Sequence, residues 1–202
     1  MIKKNIFKLV IVLLAGAALC QSHQAKAQTF ALKTNLLYDA TATVNLGMEF
    51  ALAPKWTFDL SGNLTAWEVK KGSTWKHWMV QPEARYWFCE RFNGHFLGFH
   101  ALGRQYNFGN LPNKITWWPF GHDLTPLSDH RYQGWGVGAG IAYGYSLILG
   151  RHWNLEFELG LGYIYTRFDV YQCKDCGKKI EEKKPYNYVG PTKAAVNLVY
   201  EF

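Results

Sequence analysis

Apolar and polar residues alternate most regularly between Tyr132 and Phe168. In the first half of this stretch the odd positions are mostly large and apolar, while the even positions are mostly glycine. The alternation resumes after Gly150-Arg151-His152. A period of two is that of a β-strand, whose successive side chains point to opposite faces. The pattern therefore predicts two antiparallel strands joined by a short turn.

A membrane-spanning helix is the competing interpretation, because residues 132–150 carry no charge and are long enough to cross a bilayer. Each glycine inside a helix costs about 1 kcal/mol relative to alanine. Glycines that alternate with aromatic residues would weaken a helix, yet they suit a sheet with one crowded face. The strand interpretation is therefore favoured.

The same alternation predicts eight strands and hence an all-β fold, an antiparallel up-and-down β-barrel. The loops between the strands fall at Lys70–Trp75, Asn107–His130 and Tyr171–Tyr188. The predicted strands are Phe30–Tyr38, Val44–Leu52, Trp56–Thr65, Trp78–Phe88, His95–Phe108, the two arms of the hairpin, and Val189–Phe202.

Side-chain volume indicates which face of this barrel is inside. An eight-stranded barrel has an interior just wide enough for its side chains, and the aromatic and leucine set would overfill it. Small and polar residues would fit. We therefore predict a transmembrane barrel with apolar residues toward lipid and a filled polar lumen. A soluble periplasmic ligand carrier, with the faces reversed, is the alternative.

The N-terminal residues predict export. Lys3 and Lys4 precede an apolar run, and Ala25-Lys26-Ala27 resembles a signal-peptidase site. A lipoprotein cleaved at Cys20 is disfavoured by the bulky Leu19. We expect residues 1–27 to be a signal peptide and residues 28–202 to be one barrel domain. Removing four lysines lowers the formal charge from +7 to +3, too little to suggest nucleic-acid binding.

The C-terminal strand ends with Tyr200 and Phe202, an aromatic pattern typical of the signal read by the bacterial barrel-assembly machinery. Loop lengths predict the orientation. With the N-terminus in the periplasm, the turns near Pro54, Asn93 and Arg151 are periplasmic and short, whereas three longer loops are external.

Ten ionisable residues fall on the predicted inner face. We expect them to form a salt-bridged network that fills the lumen, because buried charges must be paired. A gated ion path, or an acid–base pair of Glu156 and Glu158, is the alternative. The ten are Lys33, Glu49, Asp59, Glu83, Arg85, His100, Arg104, Glu156, Glu158 and Lys193.

The external loops contain the remaining candidates. Cys173 and Cys176 are spaced for a loop disulfide, or for half of a zinc site, which leaves Cys89 without a partner. Trp117, Trp118 and Phe120 are candidates for contact with a glycan or a surface protein. The alternative, which is favoured, is that they fold onto the barrel rim or join the interfacial aromatic girdle.

Two further patterns in the long loop have little support. His122, Asp123, Asp129 and His130 match no strong metal-binding motif. Ser128, Asp129 and His130 are the only local set for a lipid-modifying enzyme, and adjacent residues in a loop often point apart.

Five segments of the sequence carry a family resemblance. They are TNLLYDA (34–40), QPEARYW (81–87), RFNGH (91–95), DHRYQGW (129–135) and GPTKA (190–194). They resemble a Bacteroidota outer-membrane β-barrel family catalogued as a domain of unknown function, and the resemblance covers essentially the whole mature chain. It implies an eight-stranded barrel, an association with fimbrial and surface-protein genes, and no established activity.

Together these patterns predict an integral protein of the cell outer membrane with a structural or surface-interaction role through its external loops. We expect no catalytic activity, no cofactor and no nucleic-acid partner. The expected partners are outer-membrane lipid, the barrel-assembly machinery and a surface protein or glycan, and the expected state is a monomer. A small lipid-modifying enzyme and a narrow channel remain as alternative functions.

Overall fold

The computed structural model describes residues 28–67, 74–109, 130–172 and 178–202. Within these ranges the chain forms one sheet of eight antiparallel strands. Each strand pairs with the next, and the last pairs with the first, so the sheet closes into a barrel. The strands are β1 (Phe30–Asn35), β2 (Val44–Ala53), β3 (Trp56–Thr65), β4 (Thr74–Trp87), β5 (Gly94–Gly109), β6 (Arg131–Ile148), β7 (Trp153–Tyr171) and β8 (Lys179–Glu201).

The predicted all-β antiparallel fold is confirmed. One helical turn, α1 (Leu36–Ala40), interrupts it between β1 and β2. Among the described residues no helix is long and apolar enough to cross a membrane.

The strands are staggered around the barrel. Paired residues can be followed from Glu201 on β8 to Ala31 on β1 and then through every other strand back to Gly190 on β8. The path of paired residues therefore leaves β8 at Glu201 and returns to it at Gly190, eleven residues earlier in the sequence. Such a stagger accompanies tilted strands and lets a small barrel close without an edge.

The two ends of the barrel differ. At the end where β1 begins and β8 ends, which we call the terminal end, the connections within β2–β3, β4–β5 and β6–β7 span only residues 54–55, 88–93 and 149–152. The connections at the opposite end are longer and include residues 36–43 and 110–130. We call the second end the long-loop end.

Strand length also varies around the barrel. β1 has 6 residues and β2 and β3 have 10 each, whereas β6, β7 and β8 have 18, 19 and 23. At the long-loop end, the later strands therefore continue well past the first three. The result is a wall on one side of the barrel and an open side above α1.

The predicted first strand was too long. It ends at Asn35, and Tyr38 lies in α1 rather than in a strand. The Asn35 side chain accepts a hydrogen bond from the Leu37 amide at 3.1 Å, which caps the helical turn. Asparagine competes for backbone groups in this way, so it ends the strand although the apolar alternation continues.

The predicted last strand was too short. β8 begins at Lys179, within the stretch predicted as a loop, and pairs with β7 along its length. Residues 179–187 are exposed. Because a protruding strand has solvent on both faces, it needs no apolar alternation, and the period-two signal is missing there. β4 and β5 likewise extend to Thr74 and Gly109, beyond their predicted ends.

Cys89 corrects another prediction. It was expected to lack a partner, but it is disulfide-bonded. It is the only cysteine among the described residues, so its partner lies outside them.

Asp169 on β7 binds two residues of β8 near the tip of the β7–β8 hairpin. Its Oδ1 accepts the Lys183 amide at 2.8 Å, and its Oδ2 lies 3.1 Å from the Lys179 ammonium. Lys183 has a φ of 48°, an irregularity where the pairing of β7 and β8 shifts register. The hydrogen bond from Lys183 and the nearby Lys179 lower the pKa of Asp169. A carboxylate therefore stabilises this irregular hairpin tip.

We expect Asp169→Ala to speed amide hydrogen exchange at Lys183, because the amide loses its acceptor. Glu182→Ala, which removes only an exposed contact of Lys179, is the control and should leave exchange unchanged. Because the pKa of Asp169 is lowered in the folded protein, its carboxylate contributes stability at pH values above the ordinary Asp pKa of about 3.9. In wild type, the protection of the Lys183 amide should therefore be lost as the pH falls below that value. Equal protection in Asp169→Ala at neutral pH would contradict this role.

Candidate functional site

The most concentrated chemistry lies inside the barrel. The inward-facing side chains of its middle section are mainly charged or amide groups. Their neighbours on the outer surface are apolar. The buried ionisable residues are Lys33, Glu49, Asp59, Glu83, Arg85, His100, Glu156, Glu158, Lys193 and Glu201.

Small residues next to the long charged ones make room for this network. A Cβ added to Gly47 would lie 2.4 Å from Cγ of Lys33, and one added to Gly98 would lie 2.6 Å from Cδ of Glu83. Neither distance is compatible with normal packing. The alternating glycines therefore provide space for charged side chains from neighbouring strands.

Arg85 is at the centre of the network and has no solvent exposure. Its guanidinium donates to Glu83 at 2.6 Å, Glu49 at 2.7 Å, Glu158 at 2.8 Å and Glu156 at 3.1 Å. These carboxylates come from β2, β4 and β7. The five N–H donors of an arginine allow this arrangement, which a lysine could not reproduce.

Two lysines bind the outer parts of the same network. Lys33 on β1 contacts Glu49, lies 3.3 Å from Asp59 and lies 3.4 Å from Glu156. Lys193 on β8 lies 2.8 Å from Glu83 and 3.2 Å from Glu158. The pairs of Lys33 with Asp59 and Glu156, and of Lys193 with Glu83, thus cross the lumen between strands that are not neighbours in the sheet.

His100 lies beside the network. Its Nδ1 is 3.5 Å from Glu83, and its Nε2 shares a 2.8 Å hydrogen bond with the Thr192 hydroxyl. This places the imidazole between β4 and β8, where it fills space opposite Gly140 and Gly160.

Arg104 is set apart from the other predicted lumen residues. It lies four residues beyond His100 on β5, toward the long-loop end, and also faces the interior. It forms no ion pair within the described part of the chain. Its guanidinium instead lies over the Tyr106 ring, 5.3 Å from the centroid.

Sequence reasoning missed two parts of the interior. Glu201 is 5% exposed and accepts a hydrogen bond from Asn154. Glu201 and Lys193 lie an even number of residues apart on β8 and so face the same side. The alternation could therefore have identified Glu201 as an interior residue. The second part is an apolar plug at the end near the termini, where Trp87 packs on Phe96 at 4.7 Å and on Phe92 at 6.1 Å. Nothing in the alternation distinguishes this plug, because aromatic residues are common on both faces of β4 and β5.

The plug and the network are in contact. The Arg85 guanidinium lies 4.5 Å from the centroid of the Phe96 ring, a cation–π contact in a desolvated site. Trp87 donates from Nε1 to the Thr57 hydroxyl at 2.9 Å. The described interior is therefore filled from the terminal end to the level of the lysines.

A small cavity of about 30 Å³ lies beyond the network, next to α1. Its lining includes Lys33, Asn35, Tyr38, Asp59 and Asn63. A cavity of this size has room for about two water molecules. Buried oxygens of Asp59 and Asn63 that lack hydrogen-bond partners in the structure are among the groups that such waters would satisfy.

The predicted loop candidates lie outside the described residues. These are Cys173, Cys176, Trp117, Trp118, Phe120, His122, Asp123, Ser128 and Asp129. His130 is described and precedes β6. The two aromatic residues of the predicted assembly signal lie on the outer surface, where Tyr200 contacts Phe202 and Trp153, each with ring centroids 4.9 Å apart.

Comparison with known proteins gives one match. A family model described as "Protein of unknown function (DUF3575)" matches residues 9–202. No curated protein and no solved structure matches the chain.

Arg85→Met should strongly destabilise the barrel, because it leaves at least four buried carboxylates without their shared cation. Removing one partner of a buried ion pair typically costs about 3–5 kcal/mol. Urea unfolding of the refolded protein, followed by tryptophan fluorescence, measures the change. Arg151→Met, in the exposed turn between β6 and β7, is the control and should shift the midpoint little. Equal midpoints for the two variants would contradict the central role of Arg85.

Proposed function

This chain belongs to the DUF3575 family, and we propose that it is an integral outer-membrane β-barrel protein. Its role is structural or interactive at the cell surface, through the protruding strands and the loops of the long-loop end. We propose no catalytic activity. The observation that carries this proposal is the distribution of charge, which is the reverse of that in a soluble protein.

Burial and polarity are inverted in the middle section of the barrel. Charged residues such as Arg85, Glu49 and Glu83 are at most 1% exposed, whereas Leu159 is 72% exposed and Ile141 is 60% exposed. Soluble proteins rarely expose apolar patches of more than a few hundred Å². A closed barrel with an apolar outer face satisfies its backbone groups internally, which a hydrocarbon environment requires.

The height of the apolar surface fits a bilayer. On β7 the outward residues from Trp153 to Tyr165 carry no charge, and Arg167 is the first that does. Twelve residue steps of about 3.3 Å, at a tilt of about 40°, give roughly 30 Å along the barrel axis. This is close to the thickness of a bilayer's hydrocarbon core.

Aromatic residues lie at both borders of this surface. At the end near the termini, Trp56 contacts Tyr86 and Trp153 contacts Tyr200 on the exposed face. Near the other border Trp78 and Trp135 are 44% and 46% exposed. Tryptophan and tyrosine prefer the membrane–water interface because one end of each side chain is apolar and the other is polar.

The lengths of the connections support an orientation. Barrels of the outer membrane have short periplasmic turns and longer external loops. The start of β1 and the end of β8 would then face the periplasm, and the wall formed by β6, β7 and β8 would project from the cell surface. This wall and its loops are the parts available to a surface protein or glycan.

The filled interior supports neither ligand transport nor storage. The cavity beside the charge network has a volume of about 30 Å³, far below the roughly 300 Å³ of a ligand pocket. A carrier with reversed faces would need its apolar residues inside, where the structure has ion pairs.

We expect Leu159→Arg to destabilise the barrel in lipid bilayers by about 2–4 kcal/mol, the usual penalty for arginine near the bilayer midplane. Gln133→Arg, on the same outer face but beyond the apolar surface, is the control and should have little effect. Reversible unfolding from phosphatidylcholine vesicles measures both. A neutral Leu159→Arg would indicate that this face meets water and would contradict the membrane assignment.

A further inference from the structure

Arg104 differs from the other cations of the barrel interior. Lys33, Arg85 and Lys193 each contact at least two carboxylates. Arg104 contacts none within the described ranges, and its Nε is buried without a hydrogen-bond partner. An unpaired cation in a partly desolvated site is unfavourable. A ligand with a negative charge would remove that penalty.

The side chains around Arg104 are mainly tyrosines from different parts of the chain. Tyr38 comes from α1, Tyr106 from β5 and Tyr188 from β8, and all three are electrostatic neighbours of the guanidinium. His77 from β4 is another. The Tyr106 hydroxyl hydrogen-bonds to Thr166 at 2.9 Å, and the Tyr188 hydroxyl donates to the Pro191 carbonyl at 3.2 Å. The donors and the positive charge for a ligand therefore come from the guanidinium, without a competing carboxylate among the described residues.

We propose that Arg104, together with Tyr38, Tyr106 and Tyr188, forms a binding site for an oxyanion at the long-loop end of the barrel. The ligand is a phosphate or a carboxylate group. Guanidinium binds both in a two-point arrangement that suits their paired oxygens.

The site is accessible because the barrel wall is incomplete beside it. β1 pairs with β8 only from Asn197 to Glu201, and α1 then leads the chain away. The Asn35 side chain covers the next backbone groups of β8, donating to the Ala194 carbonyl and accepting from the Val196 amide, both at 3.2 Å. Beyond this point no described strand covers that edge of β8.

Two prolines keep this opening from closing by strand addition. Pro185 and Pro191 lie on the part of β8 that has β7 on one side only. Proline has no backbone N–H and is typical of edge strands that must stay unpaired. The opening is therefore a stable feature, through which an anion could arrive from solvent or from the head group of a neighbouring lipid.

Two arms of one experiment distinguish these sources. In the first, wild type, Arg104→Gln and Arg167→Gln are refolded in a zwitterionic detergent and titrated with inorganic phosphate by calorimetry. In the second, the same proteins in nanodiscs of phosphatidylcholine, with or without phosphatidylglycerol, are analysed by native mass spectrometry for retained lipid. Arg167 is the matched control, because it also lies beside a tyrosine, 5.7 Å from the Tyr165 ring, but on the outer face.

We expect wild type and Arg167→Gln to bind the anion in at least one arm, with Arg104→Gln about tenfold weaker or more, because the variant loses the charged hydrogen bonds of the guanidinium. Binding to phosphate identifies a soluble anion, and selective retention of phosphatidylglycerol identifies a lipid. Equal binding by wild type and Arg104→Gln, or no binding by wild type in either arm, would overturn the proposal.

Circular dichroism verifies that each variant is folded. If Arg104→Gln does not fold, Arg104→Lys replaces it. This variant keeps the positive charge but loses the two-point hydrogen bonding of the guanidinium, so it should bind the anion several-fold more weakly than Arg167→Lys. Affinity equal to that of Arg167→Lys contradicts the proposal. The phosphate arm does not depend on the membrane assignment, on which only the lipid arm rests.

Discussion

The structure depends on a guanidinium that is fully removed from water. Arg85 can be buried only because carboxylates from three strands surround it, and those carboxylates can be buried only because Arg85 and two lysines neutralise them. Removing any one partner leaves charge without compensation in a region of low dielectric. This mutual requirement ties together strands that do not pair in the sheet, since the ion pairs cross the lumen from β1, β4 and β8 to β2, β3 and β7.

Burying charge inside leaves the apolar residues outside, and the rest of the molecule follows from that. A barrel of eight strands has a narrow interior, so glycines such as Gly47 and Gly98 must lie beside the long charged side chains. The outer face then carries the leucines and aromatics, which are compatible with hydrocarbon but not with water. Beyond the apolar surface, the strands no longer need alternation, and β8 continues as an exposed edge with lysines and prolines.

The period-two pattern predicted the antiparallel strands and, through parity, the inward direction of residues such as Lys33, Arg85 and Glu156. It could not predict the end of β1, because Asn35 acts through a side-chain hydrogen bond that has no periodicity. It also missed the start of β8, where both faces meet solvent. The alternation predicted that Arg104 faces the lumen. It could not predict that Arg104 lies outside the ion-pair network, because the depth of a residue along the barrel axis depends on the stagger between strands. The disulfide of Cys89 joins positions whose proximity only the fold determines.

The central claim is that the barrel is closed and stands in lipid with its charges inside. Gel mobility of the outer-membrane fraction, unheated against boiled, tests it most directly, because a closed barrel resists detergent until it is heated. We expect the protein to be in this fraction and to migrate more slowly after boiling. Identical mobility, with the protein recovered in the soluble periplasmic fraction, would contradict it.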